Sequence, residues 1–468
     1  MFFSSPSRRA AVRAEAHALL ALALPIMIAQ LAYTATGFVD TVMSGRLGAD
    51  ALAAVSIGSA IMITVYITLS GVVTALNPLV AHQIGAGQHA QVGGQVRQGL
   101  WTALACGLLG TGVMLAAGEW VARGMQLEPA VAQAAQGYLI GAALGMPAAL
   151  IYRALHAYSS AVGQARPIMV ISLLALALNI PLNYILMYGK LGLPALGGAG
   201  SGWATGLVFW FSCLALAGWV RWRPTYQRYA VWQHWDWPRG AAQRAILKLG
   251  VPIALSYFVE VSAFTSVALL IAKLGAKTVA SHQVVINFTS LLYMIPQSLG
   301  AALSVRVGHA VGAGNYVAAR FNSQIGLWLG CAVALLASLM VFGLRDSIAG
   351  MYSTDAGVVA MAASLLAFAA VFQLADAMQT IASGALRGYK LTTVPMVIHT
   401  VSFWGIGLGL GIWLGLSAGP LPGGWQRPLG AYGFWAALTL SILVAAILLL
   451  ALLRHESRRR LPCPRPKA

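Results

Sequence analysis

The chain has 468 residues, of which 59% are hydrophobic and only 9% charged, against about 25% charged in an average soluble domain. That balance excludes a soluble enzyme, a disordered chain and a disulfide scaffold. The net charge of +18 raises the question of a nucleic-acid partner, but the basic residues fall where a polytopic membrane protein carries them.

A helix needs about 20 predominantly apolar residues to cross roughly 30 Å of hydrocarbon. Twelve runs meet that need, at 17–43, 52–78, 95–118, 131–155, 167–188, 200–220, 246–272, 280–305, 321–343, 357–382, 392–416 and 430–453. Their ends are expected to hold to about three residues. The first run follows Arg8, Arg9 and Arg13 and is too long for a signal-peptide core, so it reads as an uncleaved span. The 51 Gly and 19 Pro are tolerated in packed transmembrane helices. An even number of spans puts both termini on one side. The loops of that side hold Arg97, Arg153, Arg166, the run from Arg221 to Lys248, Arg306, Arg320, Arg387 and Lys390, with Arg454 and Arg458–Arg460 in the tail. By the positive-inside bias both termini are cytoplasmic, and no nucleic-acid partner is expected.

The spans group as an N-terminal six-helix bundle (1–220), a cytoplasmic linker (221–245), a C-terminal six-helix bundle (246–453) and a basic tail (454–468). The linker region carries Trp222, Trp232, Trp235 and Trp237 among basic residues. Trp at headgroup level is the plain reading, and binding of an anionic lipid or a partner is the other. Cys106, Cys213 and Cys331 sit in apolar runs and Cys463 in the tail, with no CxxC or Cys/His spacing, so neither disulfides nor a metal centre are expected.

The two halves are an internal repeat. A shift of 227 residues without gaps lays Pro25-Ile26 on Pro252-Ile253 and Leu47-Gly48-Ala49 on Leu274-Gly275-Ala276. The same shift lays His82 on His309, Gly85-Ala86-Gly87 on Gly312-Ala313-Gly314, and Gly99-Leu100-Trp101 on Gly326-Leu327-Trp328. Six spans per half make the repeats parallel, related by a pseudo-two-fold along the membrane normal. That is a transporter symmetry with a central cleft.

Of the eleven acids, Glu15, Asp50, Glu119, Glu128, Asp236, Asp346, Asp355 and Glu456 fall in loops or ends, and Asp40, Glu260 and Asp376 fall inside spans. Each intramembrane acid costs roughly 2.5–3.5 kcal/mol by insertion scales. No basic residue inside the runs stands ready to pair with them. They are therefore expected to face a watery cavity, hold a proton or bind a cation. At the repeat offset Asp40 falls on Val267 and Glu260 on Tyr33, so the acids are not shared scaffold.

Asn179 and Asn183, four apart, share a helix face. They either bond between helices or complete an oxygen-rich site with Asp40. His282 and Gln283 open the eighth span, where the His is expected to be solvated or to titrate near neutral pH. Pro147, Pro181 and Pro296 bend their spans and are candidate hinges. Phe258, Phe264, Phe288, Tyr293, Met294, Phe368, Phe372 and Met378 cluster in sequence around two of the acids. They serve as packing or as an adaptable wall for flat cations.

Several segments resemble the multidrug and toxic compound extrusion (MATE) family in its bacterial NorM-like branch. They are LALPIMIAQ (Leu22 to Gln30), GFVDTVMSG (Gly37 to Gly45), LNIPLNYILMYGKLGLPALGGAG (Leu178 to Gly200), SYFVEVSAF (Ser256 to Phe264), YMIPQSLG (Tyr293 to Gly300) and ALRGYK (Ala385 to Lys390). The resemblance implies an all-α integral membrane protein of 12 transmembrane helices, in two six-helix bundles around a V-shaped cleft. It implies a secondary multidrug efflux antiporter that exports cationic, aromatic compounds for Na⁺ or H⁺ by alternating access. It needs no cofactor and works as a monomer in the bacterial inner membrane, with cationic drugs and dyes and membrane lipid as partners. Cation coupling would fall to Glu260, Asp376, Asp40, Asn179 and Asn183, with Glu260 and Asp376 as Na⁺ ligands. Substrate contact would fall to Asp376, Asp355, Glu260, Gln283, Phe264, Phe288, Tyr293 and Phe372. Relatives with Tyr at the position of Phe372 have a hydroxyl that this chain lacks. The alternative is a flippase for a lipid-linked substrate, whose cleft should be lined by Arg and Lys. A membrane enzyme would need a nucleophile–base pair, and none is evident.

Overall fold

The computed structural model describes residues 6–124, 127–420 and 426–461. Cys463 and the end of the basic tail lie outside the described residues, as does the side chain of Arg8. Among the described residues, twelve helices are long and apolar enough to cross a membrane: Arg9–Leu47, Ala49–Gly85, His89–Gly124, Pro129–Ala161, Arg166–Tyr188, Gly198–Trp222, Gly240–Leu274, Ala276–Gly312, Tyr316–Tyr352, Ala356–Gly388, Thr393–Gly415 and Ala431–Arg459. They are called the first to twelfth spans below. Most overrun the apolar runs by more than three residues. Apolarity marks the stretch in hydrocarbon, whereas backbone hydrogen bonding carries a helix on into polar residues such as Arg306 and Arg387. The eleventh span contains a π-helical stretch, Val401–Leu410. The described strand is a two-residue pairing of Gly419–Pro420 with Gln426–Arg427.

The chain divides into two compact units, Leu24–Ala254 and Met1–Ala23 with Leu255–Ala468. The divisions fall inside the first and seventh helices, beside Pro25 and Pro252, and not in the linker.

Each unit has its own apolar core. In Leu24–Ala254 it runs through Leu76, Val96, Met114, Tyr138, Leu150 and Tyr158, all essentially inaccessible. In the other it runs through Val285, Leu366, Phe403, Phe434, Trp435 and Ile442. Small residues let the helices close. A Cβ on Gly202 would lie 2.1 Å from the Tyr138 carbonyl oxygen, so the fourth and sixth spans touch backbone to backbone there.

The repeat is carried into local geometry. The fourth span ends with Gly163 at φ +86°, its N–H bonded to Ser160 O and that of Gln164 to Ser159 O, both 2.9 Å. The tenth ends with Lys390 at φ +60°, its N–H bonded to Arg387 O and that of Leu391 to Leu386 O, again 2.9 Å. One half fills the left-handed position with Gly, the other with Lys.

Between the sixth and seventh spans the chain folds back onto the third. Arg97 donates to Asp236 (Nε, 2.7 Å) and to the carbonyls of Ala230 (2.9 Å) and Val231 (3.2 Å). The Gln98 amide donates to Trp237 O (2.9 Å) and accepts from Arg239 N (2.8 Å). Trp101 Nε1 donates to Asp236 O (2.9 Å).

Candidate functional site: carboxylates within the spans

In Leu24–Ala254, the first span carries Asp40 into a buried polar pocket made with the fifth and sixth. Asn183 Nδ2 donates to Asp40 Oδ1 (2.5 Å) and to Asn179 Oδ1 (3.0 Å), using both hydrogens of its amide. All three residues are buried. Their spacing on the fifth span puts both amides on the face that meets the acid. Ser201 and Thr205, four apart on the sixth span, bring their hydroxyls toward the same carboxylate.

Asn183 Oδ1 is buried with no hydrogen-bond partner, and Asn179 Nδ2, Ser201 Oγ and Thr205 Oγ1 lie near the carboxylate without a close hydrogen bond. A buried polar atom left without a partner costs about 1–3 kcal/mol in a folded protein. Three of these four atoms are oxygens, on residues that neighbour the carboxylate. A set of hard oxygens of this kind suits a small monovalent cation or a proton. Tyr33 is an electrostatic neighbour of Asp40, and its ring continues through Tyr66 (5.9 Å) to Phe209 (6.0 Å).

In the other unit, the seventh and tenth spans bring Glu260 and Asp376 into electrostatic range of each other, with Tyr293 of the eighth span beside both. Asp376 is buried and Glu260 partly exposed. Gln379 Nε2 donates to Asp376 Oδ1 (3.0 Å), and its Oε1 meets Nε2 of the buried His399 (2.8 Å). Since the amide oxygen can only accept, the ring proton of His399 sits on Nε2 in this arrangement.

One expectation is corrected. A basic residue does stand near these acids: Arg387, read as a loop residue, occupies the last turn of the tenth span. It donates to the Tyr257 hydroxyl (2.7 Å) and acts electrostatically on Glu260. The helix continues past the apolar run and carries the guanidinium with it.

The other singled-out residues are spread along the unit. Phe372 is buried, edge-on to Phe264 (6.1 Å) and Trp435 (5.8 Å), inside the core. Phe264 and Phe288 are half-buried against that core. Gln283 is exposed and donates to Asn287 (3.1 Å). His282 is buried rather than solvated, its Nδ1 accepting from Trp435 Nε1 (3.2 Å). Asp355 caps the tenth span, accepting from Gly357 N (2.8 Å) and Val358 N (3.1 Å), and pairs with Lys277 (3.1 Å). The two backbone N–H groups and the ammonium hold its carboxyl below the usual range, Val358 N–H most. At 1.5 Å per residue it lies roughly 30 Å along the helix from Asp376.

Sequence reasoning overlooked Ser201, Thr205, Gln379, Tyr257 and His399. Ser201 and Thr205 carry the same four-residue spacing as the asparagine pair, and Gln379 follows Asp376 by three, so these could have been found. His399 had no such signal.

Carboxylates set within a twelve-span repeated architecture point to a polytopic membrane transporter rather than an enzyme. The comparisons with known proteins agree. The MatE family model matches residues 25–185 and again 252–413, starting at Pro25 and at Pro252, the residues that the repeat superposes. A probable multidrug resistance protein, NorM, of Chromobacterium violaceum is 54% identical over 462 residues, covering 98% of each chain. The multidrug resistance protein PmpM of Pseudomonas aeruginosa is 43% identical, over 97% of this chain and 94% of its own. The MATE transporter NorM-NG, solved in complex with a dye and a monobody, is 40% identical with a TM-score of 0.80, over 94% of each chain. The chain belongs to the MatE family.

Proposed function

We propose that the protein is a multidrug efflux antiporter that exports cationic, aromatic compounds in exchange for Na⁺ or H⁺. The observation that carries the reading is the buried Asp40 carboxylate with the polar side chains of Asn183, Asn179, Ser201 and Thr205 gathered beside it. Placing such a group within a span costs free energy, whereas a transporter that must load and unload a small cation needs one. Glu260 and Asp376 form the second exchange centre, with Na⁺ or H⁺ competing there against a cationic passenger. The names of the relatives and the dye complex of NorM-NG support the substrate class.

The energetics are adequate. One monovalent ion exchanged for one monovalent drug is electroneutral, and a tenfold ion gradient supplies about 1.4 kcal/mol, enough for a tenfold drug gradient. A second ion adds about 2.3 kcal/mol per 100 mV. The arginine excess of the loops on one side supports a chain in the bacterial inner membrane with both termini in the cytoplasm.

The test is efflux of ethidium from loaded vesicles under imposed Na⁺ and pH gradients, varied independently. Efflux driven by one gradient and lost in Glu260→Gln and Asp376→Asn is the expected result. Unchanged efflux in both variants overturns the assignment.

A further inference from the structure

We propose that the segment from Arg221 to Lys248 is a binding surface for the headgroups of anionic phospholipids. The segment holds six basic residues, Arg221, Arg223, Arg228, Arg239, Arg244 and Lys248, and one acid, Asp236. That acid is already engaged by Arg97 (2.6 Å) and Arg239 (2.9 Å). All six basic residues are exposed, and five have no carboxylate partner among the described residues. The surface is therefore a standing excess of positive charge.

The second observation is aromatic. The segment is fixed to the third span at Arg97, Gln98 and Trp101, and a Cβ on Gly93 would lie 2.1 Å from Tyr229 O, so backbone lies against backbone. Despite that anchorage Trp222, Trp235 and Trp237 remain 76%, 72% and 73% exposed. Trp235 and Trp237 pack on Trp101 at 5.4 and 6.0 Å, which makes a rigid indole ledge and not a loose loop. Arg223 lies over Trp219 (4.6 Å) and Arg228 over Tyr229 (4.7 Å), so these guanidiniums are also pre-oriented.

The position selects the occupant. The sixth span ends at Trp222 and the seventh begins at Gly240, so the segment is pinned where hydrocarbon gives way to water. Indole rings held there are covered by the membrane interface. Arginines beside them meet phosphodiester groups, and an anionic headgroup satisfies both features at once. The inference does not depend on what the protein transports.

The test uses the full chain in phosphatidylcholine nanodiscs doped with brominated phosphatidylglycerol or brominated phosphatidylcholine. Quenching of tryptophan fluorescence is read against mole fraction. Brominated phosphatidylglycerol reaches half-quenching at the lower mole fraction, and high salt narrows the gap. Trp222→Phe, Trp235→Phe and Trp237→Phe together remove the component specific to that lipid. Arg221→Gln and Arg223→Gln raise its half-quenching fraction about fivefold per arginine. Arg221→Lys with Arg223→Lys keeps the preference, which separates loss of charge from loss of fold. Equal quenching by the two lipids, or a preference unchanged by the glutamine variants, overturns the proposal. So does release of the anionic lipid by a soluble oligonucleotide, which would make the segment a nucleic-acid surface.

Discussion

Thr111 and Ser338 make the same hydrogen bond in the two halves of the molecule. Each hydroxyl donates to a carbonyl on the next span, Thr111 to Ala143 and Ser338 to Ala370, both at 2.7 Å. The repeat thus preserves an interhelical bond while the residue that makes it changes. Removing either bond, by Thr111→Val or Ser338→Ala, is expected to cost about 0.6 kcal/mol. The two losses should add, since the sites lie in separate cores. Thr111→Ser and Ser338→Thr should be near neutral. Thermal unfolding of the purified protein, followed by tryptophan fluorescence, checks all four.

Gly202→Ala should be more damaging than either. The added methyl would meet the Tyr138 carbonyl oxygen at 2.1 Å and its Cα at 2.5 Å, and backbone cannot yield as a side chain can. A loss of about 1–3 kcal/mol is expected. Gly112→Ala, with open space around its Cβ, is the control and should change stability little.

The segment between the sixth and seventh spans, folded back onto the third, should be sensitive to acid. Arg97 holds the Asp236 carboxyl below the ordinary carboxylate range, with Arg239 assisting. A depressed folded value means stabilisation that is present above the unfolded value of about 3.9 and lost as pH falls below it. Fluorescence of the Trp101, Trp235 and Trp237 cluster should therefore change below about pH 4. Asp236→Asn should show the altered signal already at pH 7 and lose the acid transition. An identical transition in that variant would place the titrating group elsewhere.

Asp355 has two separable duties. Asp355→Ala removes the helix cap and the charge, and should cost about 1 kcal/mol. Asp355→Ser keeps a capping oxygen and should keep most of that stability. If the charge itself attracts a cationic drug, both variants should raise the drug concentration at half-maximal efflux to a similar degree. Stability and transport would then part company in the serine variant.

At Asp40, Asn183→Leu removes the amide that donates to the buried carboxylate at 2.5 Å. Efflux should fall at least tenfold, the size of one lost charge-assisted hydrogen bond of about 1.4 kcal/mol or more. Vesicle efflux with matched protein levels reads this. Wild-type rates in Asn183→Leu would detach Asp40 from transport.

The architecture was legible because its signals are long and redundant. Twenty-residue apolar runs recur twelve times, and the Pro25/Pro252 offset holds through Trp101 and Trp328. Asn179 and Asn183 announced their common face by spacing alone. The polar neighbours of Asp376 were harder, because they depend on which helices pack together. Nothing in the eleventh run says that His399 turns toward the tenth span. Arg387 was misplaced for a related reason: hydropathy ends where charge begins, whereas the helix does not. His282 looked solvated from its place near the start of a span, yet Trp435, far along the chain, covers it.

The fastening of the mid-chain segment to Arg97, Gln98 and Trp101 bears on biosynthesis. Those three residues leave the ribosome well before residues 230–243 do, so a prepared berth awaits the later segment. Gln98 and Thr102 also receive Gln243, from the first turns of the seventh helix. The leading end of the second half can therefore be moored to the first before its remaining spans are made. A chain cut short at residue 220 would expose an empty berth, and one cut after residue 254 would fill it.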